Sequence, residues 1–253
     1  IQHAHSHFAF SAWIGQTLFV LLLHSLSKHR NINSIYKKLL IGNAIAAYGM
    51  LFSFSIQGYG LVSIAFTVLS LLIDYIFAYN YIKDIKQINH PSRNWYTAAL
   101  LFNVVSSVGT YTLAYMMATH HIQQNLYLGS VYFYLHFQYN AWFLFACIGL
   151  FIDKLHEGNS NFICNKNIFK LFVVSVIPAY MLSILWLKLP IYLYIFVVFA
   201  ALTQILAWIL LLKDSIYNLK QINIDKYTKK ILFIIRNKKH NLRRYNLKLL
   251  APK

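Results

Sequence analysis

Acidic residues are scarce in this 253-residue chain. Six Asp and Glu stand against 23 Lys and Arg, and charged residues of both signs make up only 11% of the sequence. An average soluble protein carries about twice that share of charge, because its surface must face water. Hydrophobic residues reach 58%. The sequence therefore predicts a membrane protein.

Cysteine is also rare. Cys147 lies inside a long apolar run and Cys164 in a polar loop, which excludes a disulfide-stapled fold. The chain opens with Ile1 rather than Met, and no basic segment precedes its first apolar run. A cleaved or missing upstream segment explains such a start. We therefore expect the sequence to be a fragment of a longer protein.

Long apolar runs fill most of the chain as far as residue 212. Their lengths are near the ~20 residues that an α-helix needs to cross a bilayer. The sequence therefore predicts an all-α fold, a polytopic membrane bundle of about seven transmembrane helices. The runs are 8–26, 39–57, 61–82, 95–118, 128–152, 169–187 and 190–212.

Basic residues stand on one side of this predicted topology. All Lys and Arg except Lys188 fall in or beside alternate loops or after residue 212. Positive loops stay inside, so we expect the N-terminal end outside and the tail in the cytoplasm. The net charge of +17 then reflects topology, and the tail is expected to contact acidic membrane lipid rather than nucleic acid.

One heptapeptide occurs twice in related forms. Residues 7–13, His-Phe-Ala-Phe-Ser-Ala-Trp, return at 136–142 as His-Phe-Gln-Tyr-Asn-Ala-Trp. Four predicted spans separate the copies, and an even number returns the chain to the same side, so the repeat is parallel. We expect a first four-helix unit at 1–127, a second unit of three helices at 128–213, and a basic tail at 214–253.

Histidines open the chain at alternating positions, His3, His5 and His7. Helix residues four apart share a face, whereas residues two apart point nearly opposite ways, so His3 and His7 can face one centre and His5 another. His7 and His136 are retained in both repeats. Imidazole binds iron, copper and zinc, and paired imidazoles are a common axial arrangement for haem.

The alternative interpretation makes both repeated histidines hydrogen-bonded core residues. Repetition with the same flanking residues, in a medium where polar side chains are costly, favours ligation. Tyr132 and Asn140 share the helix face of His136, so one of them is expected to orient its imidazole. The outer pair His120 and His121 are candidate copper ligands, or else a solvated pair.

Asp74 is the only carboxylate within an apolar run. An acid inside a membrane is typical of a proton relay. A neutral Asp that bonds to a neighbouring helix is an equally good interpretation. Its counterpart in the second repeat is Gln204, so the scaffold itself does not require the charge.

The two histidine segments, set in four-helix units, resemble the haem–copper oxidase subunit I family and its relatives linked to nitric oxide. The likeness is closest to a Bacteroidetes-type bacterial group and extends to about residue 214. It implies His7 and His136 as axial haem ligands and His5 as a ligand to a second centre. It also implies copper as a less favoured cofactor, a bacterial inner-membrane location, and a redox protein or quinone as partner.

This resemblance implies haem-dependent electron transfer or handling of a diatomic gas, oxygen or nitric oxide. The chain lacks the family's His-Pro-Glu-Val-Tyr copper motif, so oxygen reduction is not expected, and enzymatic activity is left open. The alternative function is a proton-coupled metal-ion or small-solute transporter or channel. In it the histidines line an outer vestibule and Asp74 carries protons.

Overall fold

The part of the protein that the structure describes is a bundle of seven long apolar helices, each long enough to cross a membrane. The computed structural model describes residues 2–159, 162, 164–187 and 190–221, and no strand occurs among them. The all-α prediction is confirmed. The helices are α1 (Gln2–Phe8, Ala9–Gly15 and Gln16–Ser27 in succession), α2 (Ser34–Gln57), α3 (Leu61–Ile85), α4 (Arg93–Thr119), α5 (Gln124–His136, Phe137–Phe143 and Leu144–Gly158 in succession), α6 (Lys166–Ser183) and α7 (Ile191–Gln221).

The surface and interior of the bundle reverse the pattern of a soluble protein. Large apolar side chains such as Ile56 and Leu61 are more than 80% exposed, whereas the amides of Asn43, Asn103 and Gln138 are buried. An apolar exterior of this kind suits a lipid environment. The chain is therefore a multi-pass membrane protein.

Local sequence explains where several helices begin and end. Asn33 caps α2, its side chain accepting a hydrogen bond from the Ile35 amide at 3.0 Å. Asn165 caps α6 in the same way. Side-chain oxygens at this position satisfy amides that have no partner within the helix. At the far end of α2 the chain turns at Gly58, whose φ of +61° favours a residue without Cβ.

Two helices contain a π-helical segment at their centres, Ala9–Gly15 in α1 and Phe137–Phe143 in α5. These segments overlap the two copies of the sequence repeat, 7–13 and 136–142. A Cβ on Gly15 would lie 2.8 Å from the Phe10 carbonyl oxygen, so the wider turn there requires glycine. Insertions of this kind often mark functional sites. The division of the chain into two repeat units stays a prediction.

The loops define two faces of the bundle. We call the end formed by residues 28–33, 86–92 and 164–165 the basic face, and the other end the opposite face. Helix α7 continues to Gln221, past the predicted limit of 212. The rest of the predicted tail, 222–253, lies outside the described residues.

Candidate functional site

His136 is buried within the second repeat and bonded at both ring nitrogens. Its Nε2 lies 2.8 Å from the Val176 carbonyl oxygen on α6, and its Nδ1 lies 3.2 Å from the Asn140 amide nitrogen. A carbonyl only accepts, so Nε2 carries the proton and Nδ1 accepts from Asn140. Asn140 therefore orients the ring, whereas Tyr132 lies near Trp186 instead.

His7 packs against a different helix. Its ring stacks on Phe54 of α2, with centroids 4.4 Å apart and planes 6° from parallel, and it meets Tyr59 edge-on. Each of the two repeated histidines thus contacts the next helix along the chain, α2 for His7 and α6 for His136. A haem iron at His136 Nε2 would have to replace the bond to Val176.

The remaining predicted ligands lie near the opposite face. His5, His120 and His121 are exposed, and His120 ends α4 in a left-handed conformation with φ 55°. The side chain of His3 lies outside what the structure describes. A groove of about 450 Å³ opens at this face between α4, α5 and α6, but none of the described residues that line it is a histidine. The haem and copper sites stay predictions.

Asp74 lies near the middle of α3 and is partly buried. Its Oδ2 accepts a hydrogen bond from the Asn103 side chain on α4 at 3.3 Å. Gln138, in the π-helical segment of α5, donates to Asn103 Oδ1 and to Ser106 Oγ, both at 2.8 Å. These four side chains form a chain of hydrogen bonds that runs from the interior of α5 to the carboxylate.

A small cavity is lined by residues of both π-helical segments. Asp74, Asn103 and Gln138 line it on one side, and Phe10, Ser11 and Gly15 of α1 line it on the other. Its volume of about 20 Å³ is enough for one water molecule. Such a volume at a carboxylate provides a place for a proton carrier or a small ion.

Further polar groups hold the π-helical segment of α1 beside this cavity. Asn43 of α2 donates to the Ser11 carbonyl at 3.1 Å and to Gln16 Oε1 at 2.8 Å. Ser70, one helical turn before Asp74, donates to Asn43 Oδ1 at 3.3 Å. Hydrogen bonds from Asp74 and Ser70 of α3 and from their partners therefore reach four helices, α1, α2, α4 and α5. A polar residue inside an apolar run predicts a buried polar contact between helices. Asn43, Asn103 and Gln138 are residues of this kind.

A second polar cluster lies buried at the basic face. Ser25 Oγ donates to Asp153 Oδ2 at 2.7 Å and lies 3.0 Å from His90 Nε2. Tyr96 donates to the same Ser25 oxygen at 3.2 Å. The sequence pattern does not mark His90 as a functional residue. Its partners Ser25 and Asp153 are more than 60 positions away along the chain, and only the tertiary structure brings them together.

This cluster is not the relay of a serine hydrolase. In such a relay, serine and aspartate contact different nitrogens of one histidine. Here Ser25 and Asp153 both face His90 Nε2, and the Ser92 amide donates to Nδ1 at 3.1 Å. Burial lowers the pKa of His90 to about 4, although the Asp153 carboxylate acts in the opposite direction.

Ion pairs surround this cluster. Arg30 pairs with Asp84 at 3.1 Å, and Lys28 contacts both Glu157 and Asp153. Pairing stabilises charges at the end of a membrane bundle, where water still reaches the side chains. Asp74 differs from these acids, because no Lys, Arg or His pairs with it in the described part of the chain.

No protein-family model, curated protein or solved structure matches the chain. The resemblance to the haem–copper oxidase family therefore stays a prediction.

Proposed function

We propose that the protein is a proton-carrying membrane transporter or channel in which Asp74 takes up and releases the proton. The observation that carries this proposal is a carboxylate at the middle of a span with an amide as its partner instead of a cation. An acid at the centre of a transmembrane helix raises the free energy of insertion by about 2.5–3.5 kcal/mol. A proton or a bound cation removes most of that cost.

The surroundings of Asp74 support reversible protonation. Asn103 donates to the carboxylate, and Gln138 and Ser106 hold Asn103 in position. The adjoining cavity has room for a water molecule that can exchange a proton with Asp74. Because residues of both π-helical segments line the cavity, local changes of helical register can open or close it.

We further infer that the basic face is cytoplasmic, on the ground of the positive-inside rule. Under that orientation the exposed His5, His120 and His121 lie at the outer mouth. They then form part of an outer vestibule that binds protons or metal ions before these reach the membrane interior.

Proton flux into liposomes tests the function. The purified full chain is reconstituted with a pH-sensitive dye inside, and a potassium diffusion potential drives protons inward. We expect acidification at a rate well above that of protein-free liposomes. Asp74→Asn, which keeps the shape but cannot release a proton, is expected to reduce the rate at least about 10-fold.

Asp214→Asn is the matched control. Asp214 is an acid of the same kind near the basic face, where its carboxylate lies 3.5 Å from the Asn165 amide. Its removal is expected to leave the flux unchanged, and Asp74→Glu is expected to retain part of it. Equal flux through the wild-type chain and Asp74→Asn would contradict the proposal.

A further inference from the structure

Three side chains with metal-binding atoms meet at the basic face from distant parts of the chain. His29 follows α1, His90 lies between α3 and α4, and Asp153 lies near the end of α5. One nitrogen or oxygen of each lies within 4.8 Å of the other two. We propose that His29, His90 and Asp153 bind a divalent transition-metal ion of the zinc type. This site is separate from Asp74 and does not depend on the function proposed above.

The spacing of the donor atoms is close to that of a tetrahedral site. Zinc binds imidazole and carboxylate at about 2.0–2.2 Å, which places neighbouring donor atoms about 3.3 Å apart. His90 Nε2 and Asp153 Oδ1 are 3.4 Å apart. These two atoms already form one edge of the tetrahedron, and His29 needs only a small movement to complete the third position.

Neighbouring hydroxyl groups hold the carboxylate in the orientation that a metal requires. Ser25 donates to Asp153 Oδ2, so Oδ1 is the oxygen left facing His90. Tyr96 in turn donates to Ser25. Hydrogen bonds of this kind, one step removed from the ion, are a regular feature of protein metal sites.

Burial differs among the three ligands in a way that suits metal entry. His90 and Asp153 are 4% and 5% exposed, whereas His29 lies in an exposed turn. The rings of His29 and His90 meet edge to face with centroids 4.9 Å apart. An ion can therefore enter beside His29 and keep a water molecule as its fourth ligand.

Three present contacts must change when an ion binds. Lys28 lies 3.8 Å from Asp153 and has Glu157 as a second partner, so it can leave the carboxylate without losing all pairing. Because the Ser92 amide donates to Nδ1 of His90, the ring proton is on Nε2, which lies 3.0 Å from Ser25 Oγ. When the ion binds Nε2, the proton moves to Nδ1, and the contacts of the ring with Ser25 and with the Ser92 amide open.

The donor set selects the class of ion. Two imidazoles and one carboxylate suit zinc and other first-row divalent ions, whereas calcium and magnesium prefer oxygen ligands throughout. Copper and nickel would compete for the same atoms. We therefore expect the site to bind zinc-type ions and not calcium or magnesium.

Metal titration of the purified full chain tests the site. The protein carries no polyhistidine tag and is first stripped with a chelator. Co²⁺, whose visible absorption reports four-coordinate binding, is added and then displaced by Zn²⁺. We expect tight binding that weakens at least about 100-fold in His90→Ala and Asp153→Asn.

His29→Ala separates metal binding from folding. Because His29 is exposed, this variant is expected to unfold at the wild-type temperature without metal, yet to bind at least about 10-fold more weakly. His24→Ala removes an exposed imidazole from the same helix end and is expected to bind like the wild type. If all three ligand variants bind as the wild type does, or if binding is lost only in His120→Ala and His121→Ala, the proposal is wrong.

Discussion

The imidazole of His136 connects two helices of the bundle. Its bonds to Val176 and Asn140 satisfy both nitrogens in a place that water does not reach, which is what a buried polar group in a membrane needs. The sequence predicts that His136 has a specific partner, because the residue is repeated and lies in an apolar run. The sequence leaves open whether its partner is a metal or a carbonyl, because Val176 is 40 positions away.

Replacing His136 tests its structural part. His136→Ala is expected to lower the free energy of unfolding by about 1–3 kcal/mol, because it removes the imidazole that bonds to the Val176 carbonyl and the Asn140 amide in the core. The thermal unfolding temperature of the protein in detergent measures this. His5→Ala, at an exposed position, is expected to unfold like the wild type.

The same pair of variants tests the haem hypothesis. An absorption spectrum of protein from haem-supplemented cells would show a haem band that disappears in His136→Ala and persists in His5→Ala. That result would mean that His136 binds haem iron instead of the Val176 carbonyl. A colourless wild-type protein would end the hypothesis.

Among the helices, contact between α4 and α5 depends on a glycine. A Cβ on Gly109 would lie 2.5 Å from the Ser130 carbonyl oxygen and 3.0 Å from the Tyr134 amide nitrogen. Both obstacles are backbone atoms, which cannot turn away as a side chain can. This close approach carries Asn103 and Ser106 to within bonding distance of Gln138.

Gly109→Ala is therefore expected to destabilise the bundle by about 1–3 kcal/mol, despite the higher helix propensity of alanine. Gly129→Ala is the matched control, since the nearest atom to its Cβ would be the Tyr180 hydroxyl at 3.7 Å. That variant is expected to be neutral or slightly stabilising. If Gly109→Ala and Gly129→Ala lower the unfolding temperature equally, close packing of α4 against α5 at Gly109 is not the cause of the loss.

The positions of the helices follow from the apolar runs, and the observed bounds lie within several residues of those predicted. The π-helical segments do not follow from hydropathy, because an inserted residue changes the hydrogen bonding without changing the composition. Gly15 is the local sign, in that it removes the Cβ that would meet Phe10. The second segment contains no glycine at all.

On the scale of the whole molecule, orientation is the property that the charge pattern predicts. Orientation is tested with two variants of a chain in which both native cysteines are replaced, Cys147→Ser and Cys164→Ser. One variant carries Asn31→Cys at the basic face and the other carries Gln124→Cys at the opposite face, both at exposed positions. A membrane-impermeant thiol reagent added to intact cells is expected to label Gln124→Cys and to miss Asn31→Cys. The reverse pattern would contradict the orientation.

The sequence by itself determined the membrane class and the seven long helices of the described residues, because a lipid environment allows few polar residues and only helices or barrels. It also singled out Asp74 and His136 as candidates, because polar side chains are costly there. Only the tertiary structure decided which side chains meet. Asp74 with Asn103 and Gln138, and His90 with Ser25 and Asp153, come from separate helices or loops. Their contacts depend on helix rotation and close packing, which a pattern of hydropathy along the chain does not contain.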